Sequence, residues 1–373
     1  MDFRLSKAAS LLIDLVRGSA AQAVVVGHAL SFFSVAQIPY LQNSGVAVFF
    51  VLSGIVVPYS TFQKRSQDPD YSIGSYLVDR FSRIYTGLVP ALVFVAALDL
   101  VNRGLFGAAY RYSGAFDTRT FIGNLLMLQD HPLQTALIRV VADRLGLSFT
   151  WIEPVTSFGS ARPLWTVAIE WWIYLLFGWV ALGGVVRRTR PVLFWFCFWV
   201  LLLVPASNWV VEGRGRGLTL TWGLGLLILA LLVRLPGGWF QRDAAFLASL
   251  FLMASVGRLL LTKQAYDALF VALFATSLYF ALCHLQYGEG LAIPGPLVSA
   301  IRFNSSFSYS LYLVHYSVLD LLVNWRGPGR GNAALGFILS NVLAIGLYGI
   351  FEKRYRALRA HLRRVLRLSH ASV

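Results

Sequence analysis

Ten apolar blocks, most of them near the length that crosses a bilayer, constrain this chain more than any other feature. They run over about 11–33, 44–61, 84–102, 163–183, 191–206, 217–233, 244–261, 266–284, 306–324 and 332–351. With 57% hydrophobic residues, against roughly 45–50% in an ordinary soluble domain, the chain has too much apolar surface for one water-bound core. An all-α polytopic membrane protein is expected, a bundle of about ten transmembrane helices.

The charges between the blocks set an orientation. The formal net charge is +15, and the basic residues are unevenly shared between alternate loops. One set holds Lys64, Arg65, Arg80, Arg83, Arg187, Arg188, Arg190, Arg234, Arg242 and Arg302. The tail continues it with Lys353, Arg354, Arg356, Arg359, Arg363, Arg364 and Arg367. The opposite short loops hold fewer: Arg214, Arg216, Arg258, Lys263, Arg326 and Arg330. By the positive-inside rule both termini are cytoplasmic. The same rule explains the basic balance better than nucleic-acid binding does, so no nucleic-acid partner is expected.

The first block, LLIDLVRGSAAQAVVVGHALSFF, carries Asp14, Arg17 and His28. Ionisable groups at membrane depth are costly, and they usually face a protein interior and serve function. Arg17 and His28 are eleven residues apart. On a helix that is three turns plus about 20°, so both lie on one stripe, separated by ~16 Å. Asp14 is one turn from Arg17 and can pair with it. The pair either ties helices together or meets an anionic group of a substrate. His28 is either a hydrogen-bonded core histidine or a general base, since imidazole exchanges a proton near neutral pH. No histidine or cysteine spacing suggests a metal site, and Cys197 and Cys283 lie inside apolar blocks.

Four further places carry chemistry-bearing residues. Arg80 and Arg83, in RFSRIYTGLVP, share a helix face and could clamp phosphates; ordinary membrane anchoring is the alternative. Tyr85 is expected at the membrane interface. Glu170 is the carboxylate of an aromatic crossing, ARPLWTVAIEWWIYLLF, where it could orient His28, hold a sugar hydroxyl or pair helices. Ser53, in FFVLSGIVV, reads mainly as packing beside Gly54, with channel lining as the weaker alternative. The ninth block, FSYSLYLVHYSVL, brings Ser308, Tyr309, Ser310, Tyr312 and His315, which suit a polar tunnel wall or a polar seam between helices.

A single transmembrane domain is expected over 1–356, followed by a basic tail over 357–373 lying on anionic headgroups. No cleavable leader and no appended soluble domain are expected. The segment 103–162 is a long extracytoplasmic loop holding Arg111, Asp117, Arg119, Asp130, His131, Arg139, Asp143, Arg144, Trp151 and Glu153, with a re-entrant or interfacial piece at 121–128. Long loops in compact proteins are usually functional or disordered, and its aromatic content favours function. No GxSxG elbow, P-loop, HExxH or dinucleotide fingerprint occurs, which removes the usual soluble hydrolase and nucleotide-driven chemistries.

Taken together, these segments resemble the membrane acyltransferase-3 family, bacterial O-acyltransferases of surface glycans and related metabolites. IDLVRG followed by His28 resembles its first-helix arginine–histidine signature, FFVLSG its second-helix motif and RFSRIY its Arg-x-x-Arg motif. PLWTVAIEWWIYLL, FSYSLYLVH and FEKRYR resemble its later motifs, in the same order. Two departures are expected to matter: Trp171 follows Glu170 where many members have a second acidic residue, and the hydrolase-like domain that some members carry is not expected here.

The resemblance implies a ten-helix enzyme of the bacterial inner membrane. It would move an acyl group, commonly acetyl, from cytoplasmic acyl-CoA to a hydroxyl of an extracytoplasmic carbohydrate or glycolipid. His28 would be the catalytic base, Arg17 and Glu170 its support, and Arg80 and Arg83, with Tyr85 beside them, the CoA site. No permanently bound cofactor is implied, acyl-CoA being the donor, and a homodimer is left open. Two other classes fit the bundle: a glycan or lipid exporter without catalysis, and a membrane regulator whose basic tail docks a partner.

Overall fold

Ser6 starts the first helix. Its side chain accepts from the Ala9 amide at 3.0 Å, satisfying one of the amides that a helix start leaves open. Its hydroxyl also donates to the Leu285 carbonyl at 2.7 Å. The structure is a computed structural model and describes residues 3–134, 144, 154–209, 217–235, 242–264, 266–287 and 293–368. Arg139, Asp143, Trp151 and Glu153 of the long loop, Arg214 and Arg216 of a short one, and the last five residues of the tail lie outside the described residues.

Among the described residues the chain is all-helical, without strands. In chain order the helices are α1 (Lys7–Phe32), α2 (Pro39–Gln67), α3 (Ile73–Phe106), α4 (Thr118–Leu125), α5 (Leu164–Leu182), α6 (Gly184–Thr189) and α7 (Pro191–Ser207). There follow α8 (Leu218–Arg234), α9 (Ala244–Thr262), α10 (Ala268–Tyr287), α11 (Gly295–Ser306), α12 (Ser308–Arg326), α13 (Arg330–Ile350) and α14 (Tyr355–Val365).

Among the described residues, seven helical segments are long and apolar enough to cross a membrane: α1, α2, α3, α5, α9, α10 and the one starting at Arg330. The protein is therefore a multi-pass membrane protein. Three of the ten expected blocks fall outside that set. α7 and α8 are apolar but have only 17 residues each. α12 has 19 residues, and its apolar run is broken by Ser310, His315, Ser317 and Asp320.

The described residues fall into two units, the first drawn from Met1–Asp70 and Arg216–Tyr309, the second from Tyr71–Gly215 and Ser310–Ser372. In the first unit α2 packs between α1 and α8, around a core that includes Ile13, Val51, Ile55, Leu232 and Leu282. The α2–α8 crossing explains the Ser53–Gly54 pair. A Cβ on Gly54 would stand 2.0 Å from the Trp222 carbonyl oxygen, and one on Gly225 would stand 2.0 Å from that of Val51. Small residues let helix backbones touch where lipid supplies no hydrophobic drive.

In the second unit, α3 has 34 residues. At 1.5 Å per residue it is about 51 Å long, well beyond a hydrocarbon layer of ~30 Å. It therefore has room to bind partners at both ends. At its N-terminal end it docks α14. The Arg363 guanidinium meets Asp79 at 2.8 Å, with both side chains at most 4% exposed. The Tyr71 hydroxyl donates to the other oxygen of Asp79 at 3.0 Å. The stretch expected on lipid headgroups is thus also pinned to a helix by a buried ion pair. It begins at Tyr355, so the expected division at 356/357 falls inside it.

Candidate active site

The first unit holds α1 as one unbroken helix from Lys7 to Phe32, so the stripe shared by Arg17 and His28 exists over its full ~16 Å. Arg17 Nη1 lies 3.8 Å from Asp14 Oδ1. That is long for a hydrogen bond but within ion-pair range. The Ser305 hydroxyl of α11 donates to the same carboxylate oxygen at 3.1 Å. Gln22, further up α1, donates to Asn304 at 2.9 Å. Gly18 lets the helices approach: a Cβ there would stand 2.4 Å from Asn304 Nδ2. So α11 holds the lower half of α1 by polar contacts. His28 is half-buried, as are Arg17 and Asp14. Ser53, in the same unit, accepts from the Trp222 indole at 3.1 Å and belongs to the α2–α8 crossing. Tyr309 is half-buried just inside α12.

The other expected site residues belong to the second unit. Arg83 Nη1 meets Glu352 Oε1 at 2.5 Å. The opposite oxygen of Glu352 accepts from the Ser310 amide at 3.2 Å and from its hydroxyl at 2.6 Å. Arg83 also lies over the Tyr355 ring, 5.3 Å from its centroid. Three sequence motifs, RFSRIY, FSYSLYLVH and FEKRYR, therefore meet at one buried carboxylate. Arg80 points elsewhere, over Tyr76 at 5.7 Å.

Tyr85 packs against its own helix and α5. It donates to the Leu125 carbonyl at 2.7 Å, stacks on Phe81 at 4.2 Å and meets Trp171 edge-on at 5.5 Å. Tyr85 is 21 residues before Phe106, about 32 Å along α3. The chain from α4 to His131 thus folds back beside the spanning helices. The Trp172 indole confirms the depth: it donates to the Met127 carbonyl at 2.8 Å, some 12 Å into α5. Trp172 holds this returning segment, meeting the His131 ring at 4.9 Å as well, while Trp171 packs on Tyr85 of α3.

Glu170 accepts a hydrogen bond from Tyr174, one turn on, and the Tyr174 carbonyl accepts from Tyr76 at 2.9 Å. Phenol, carboxylate and α3 are thereby linked. Tyr312 stands 2.6 Å from the Thr166 hydroxyl and 3.4 Å from the Pro163 carbonyl. His315 is fully buried, with Nδ1 3.0 Å from the Leu311 carbonyl. Of the two arrangements open for this helix, the geometry is that of a seam: Ser310, Tyr312 and Ser317 each meet a side chain of another element.

Sequence reasoning passed over four groups in this unit. Asp99 and Asn102 on α3, and Asp320 and Asn324 on α12, form a polar cluster, with Asn102 donating to Asp320 at 2.8 Å. The signal was present, a carboxylate inside an apolar block in each case, but it belongs to two blocks more than two hundred residues apart.

A family model described as an acyltransferase domain matches residues 11–351 of the chain. No curated protein and no solved structure matches it.

Proposed function

Matched over residues 11–351, the chain belongs to the membrane acyltransferase-3 family, and we propose that it moves an acetyl group from cytoplasmic acetyl-CoA to a carbohydrate hydroxyl on the other side of the bacterial inner membrane. In this proposal ten segments cross, α7, α8 and α12 included, and both termini are cytoplasmic. The observation that carries it is α1: Arg17 and His28 on one stripe of a continuous helix, with Arg17 held beside Asp14.

The chemistry follows from placing the donor along that helix. CoA carries phosphates that lipid excludes, so these stay with cytoplasmic cations. Arg80 is the principal candidate. Arg83 is bound to Glu352 but is about one-third exposed, and a guanidinium has five N–H donors to share. The pantetheine arm spans roughly the distance from Arg17 to His28, ~16 Å. At its end, neutral His28 accepts the proton of the acceptor hydroxyl while the oxygen attacks the thioester carbon. The C–S bond then breaks, CoA leaves as its thiolate, and that thiolate recovers the proton. Transfer through an acyl-His28 intermediate uses the same groups in two steps. Glu170, with Tyr174 on its carboxylate, is a polar pair available for an acceptor hydroxyl.

The test is mass spectrometry of surface glycans and secreted glycolipids with and without the gene, paired with acetyl-CoA binding to purified protein. The expected result is an acetyl mass difference on one glycan class and donor binding that weakens in Arg80→Ala. Unchanged glycan masses together with no acetyl-CoA binding would overturn the proposal and favour an exporter.

A further inference from the structure

The polar cluster at the Phe106 end of α3 has no role in the chemistry above. Asp99 accepts from the Ser160 amide at 2.8 Å and from its hydroxyl at 2.5 Å. The Ser160 and Ser317 hydroxyls are 2.6 Å apart. Asn102 joins Asp320 at 2.8 Å and accepts from Asn324 at 3.0 Å. Asp99, Asn102, Ser160, Ser317 and Asp320 are all at most 2% exposed. Buried polar networks of this kind fix one arrangement when every member is satisfied. Here the arrangement fixed is that of loop backbone at residues 157–162. Gly159 shows how tightly the loop is drawn in: at φ +48°, a Cβ there would stand 2.0 Å from Asp99 Oδ2.

What the cluster holds in place is an aromatic and cationic face. The Tyr112 hydroxyl donates to that of Tyr316 at 3.3 Å, and their rings are 6.4 Å apart at 63°. The Arg162 guanidinium lies 6.0 Å from the Tyr112 centroid. Tyr112, Tyr316 and Arg162 are half-buried. They sit on three elements, the loop after α3, the entry to α5, and α12; the cluster beneath ties the last two to α3, and Tyr112 joins them through Tyr316.

We propose that this face is the acceptor platform and that it takes a pyranose ring of the carbohydrate. The inference deepens the acyl-transfer proposal and rests on it. A pyranose has an apolar C–H face and a rim of hydroxyls. Half-buried phenol rings match the first, and phenol hydroxyls with a guanidinium match the second. A platform fixed before binding loses little freedom when occupied, which is how a small polar ligand gains affinity. Tyr112 and Tyr316 contact the sugar. Asp99 and Asp320 are positioning residues that act through Ser160 and Asn102.

The experiment is saturation-transfer NMR on the full chain in detergent with the methyl pyranosides of glucose, galactose, mannose and rhamnose. At least one should receive saturation through its ring C–H protons. In Tyr316→Ala and Tyr112→Ala its Kd should rise about tenfold, while Tyr112→Phe and Tyr316→Phe, which keep the rings, should retain most of the binding. Asp320→Asn should raise KM for acceptor more than it lowers kcat, a split that simple loss of fold would not give. No saturation of any pyranoside, or equal saturation in the two alanine variants, would overturn the proposal. Acetyl-CoA binding measured on the same samples separates the two claims. Donor binding without pyranoside binding overturns this inference alone. Absence of donor binding, together with unchanged glycan masses, overturns the acyl-transfer proposal.

Discussion

Arg83 and Glu352, 269 residues apart in sequence, form an ion pair at 2.5 Å in which the carboxylate is 0% exposed and the guanidinium 36%. The pair is asymmetric, and so are its consequences. Removing the cation strands a buried charge, whereas removing the anion leaves a cation that water can reach. Arg83→Ala should therefore destabilise more than Glu352→Gln. Its cost should fall towards the lower end of the ~3–5 kcal/mol seen for broken buried pairs, because Ser310 still donates twice to Glu352. Arg80→Ala leaves the pair intact and should lower acetyl-CoA affinity with little change in melting temperature. Thermal melts in detergent, beside donor-binding isotherms, check the order.

Gly54→Ala places a methyl group against backbone at the α2–α8 crossing. Backbone cannot rotate away as a side chain does, so the two helices must separate. Overpacking typically costs ~1–3 kcal/mol, and this case should lie at or above the upper end. Gly225→Ala should act alike, and the double variant should cost less than the sum, since one separation relieves both clashes. Melting temperatures of the three variants measure this.

Arg363 and Asp79 pin α14 to α3, with Tyr71 as the third member. Arg363→Met should destabilise strongly, and Arg363→Met combined with Asp79→Leu should recover much of the loss, because no charge is then left buried. A double-mutant cycle with limited proteolysis at residues 355–368 as readout checks it. Cleavage there should be fastest in the single variants.

Asp267 caps α10 in the loop after α9. It accepts from Arg258 at 2.8 and 3.0 Å and from the Phe270 amide at 2.8 Å. Burial alone would raise its pKa, but these bonds outweigh burial and hold it below the usual carboxylate range. A lowered folded pKa means the stabilisation is complete above the unfolded value, near ~3.9, and is lost as pH falls through the folded one. The melting temperature should drop on acidification below about pH 4, and Asp267→Asn should flatten that part of the profile.

The sequence carried the architecture further than the contacts. All ten apolar blocks became helices, because apolar length is a local signal. The helix ends were less legible. α3 begins at Ile73 rather than 84, since a polar, Ser72-capped first third continues a helix whose apolar window alone had been read. The chemistry-bearing residues were recognisable singly, and their partners were not. Glu352 was visible as part of a closing motif, but nothing within ten residues of it announces Arg83 or Ser310. Asp99 and Asp320 offered the clue that singled out Glu170, a carboxylate in an apolar run. Each gains its meaning only from the other helix and from Ser160.

The central claim is that His28 is the base for acyl transfer, and the most direct measurement is the rate of labelled acetyl transfer from acetyl-CoA by wild-type and His28→Ala protein in proteoliposomes. Loss of a general base should slow transfer by roughly 10²–10⁴-fold with melting temperature and acetyl-CoA binding preserved. Transfer at the wild-type rate by folded His28→Ala protein would contradict the account.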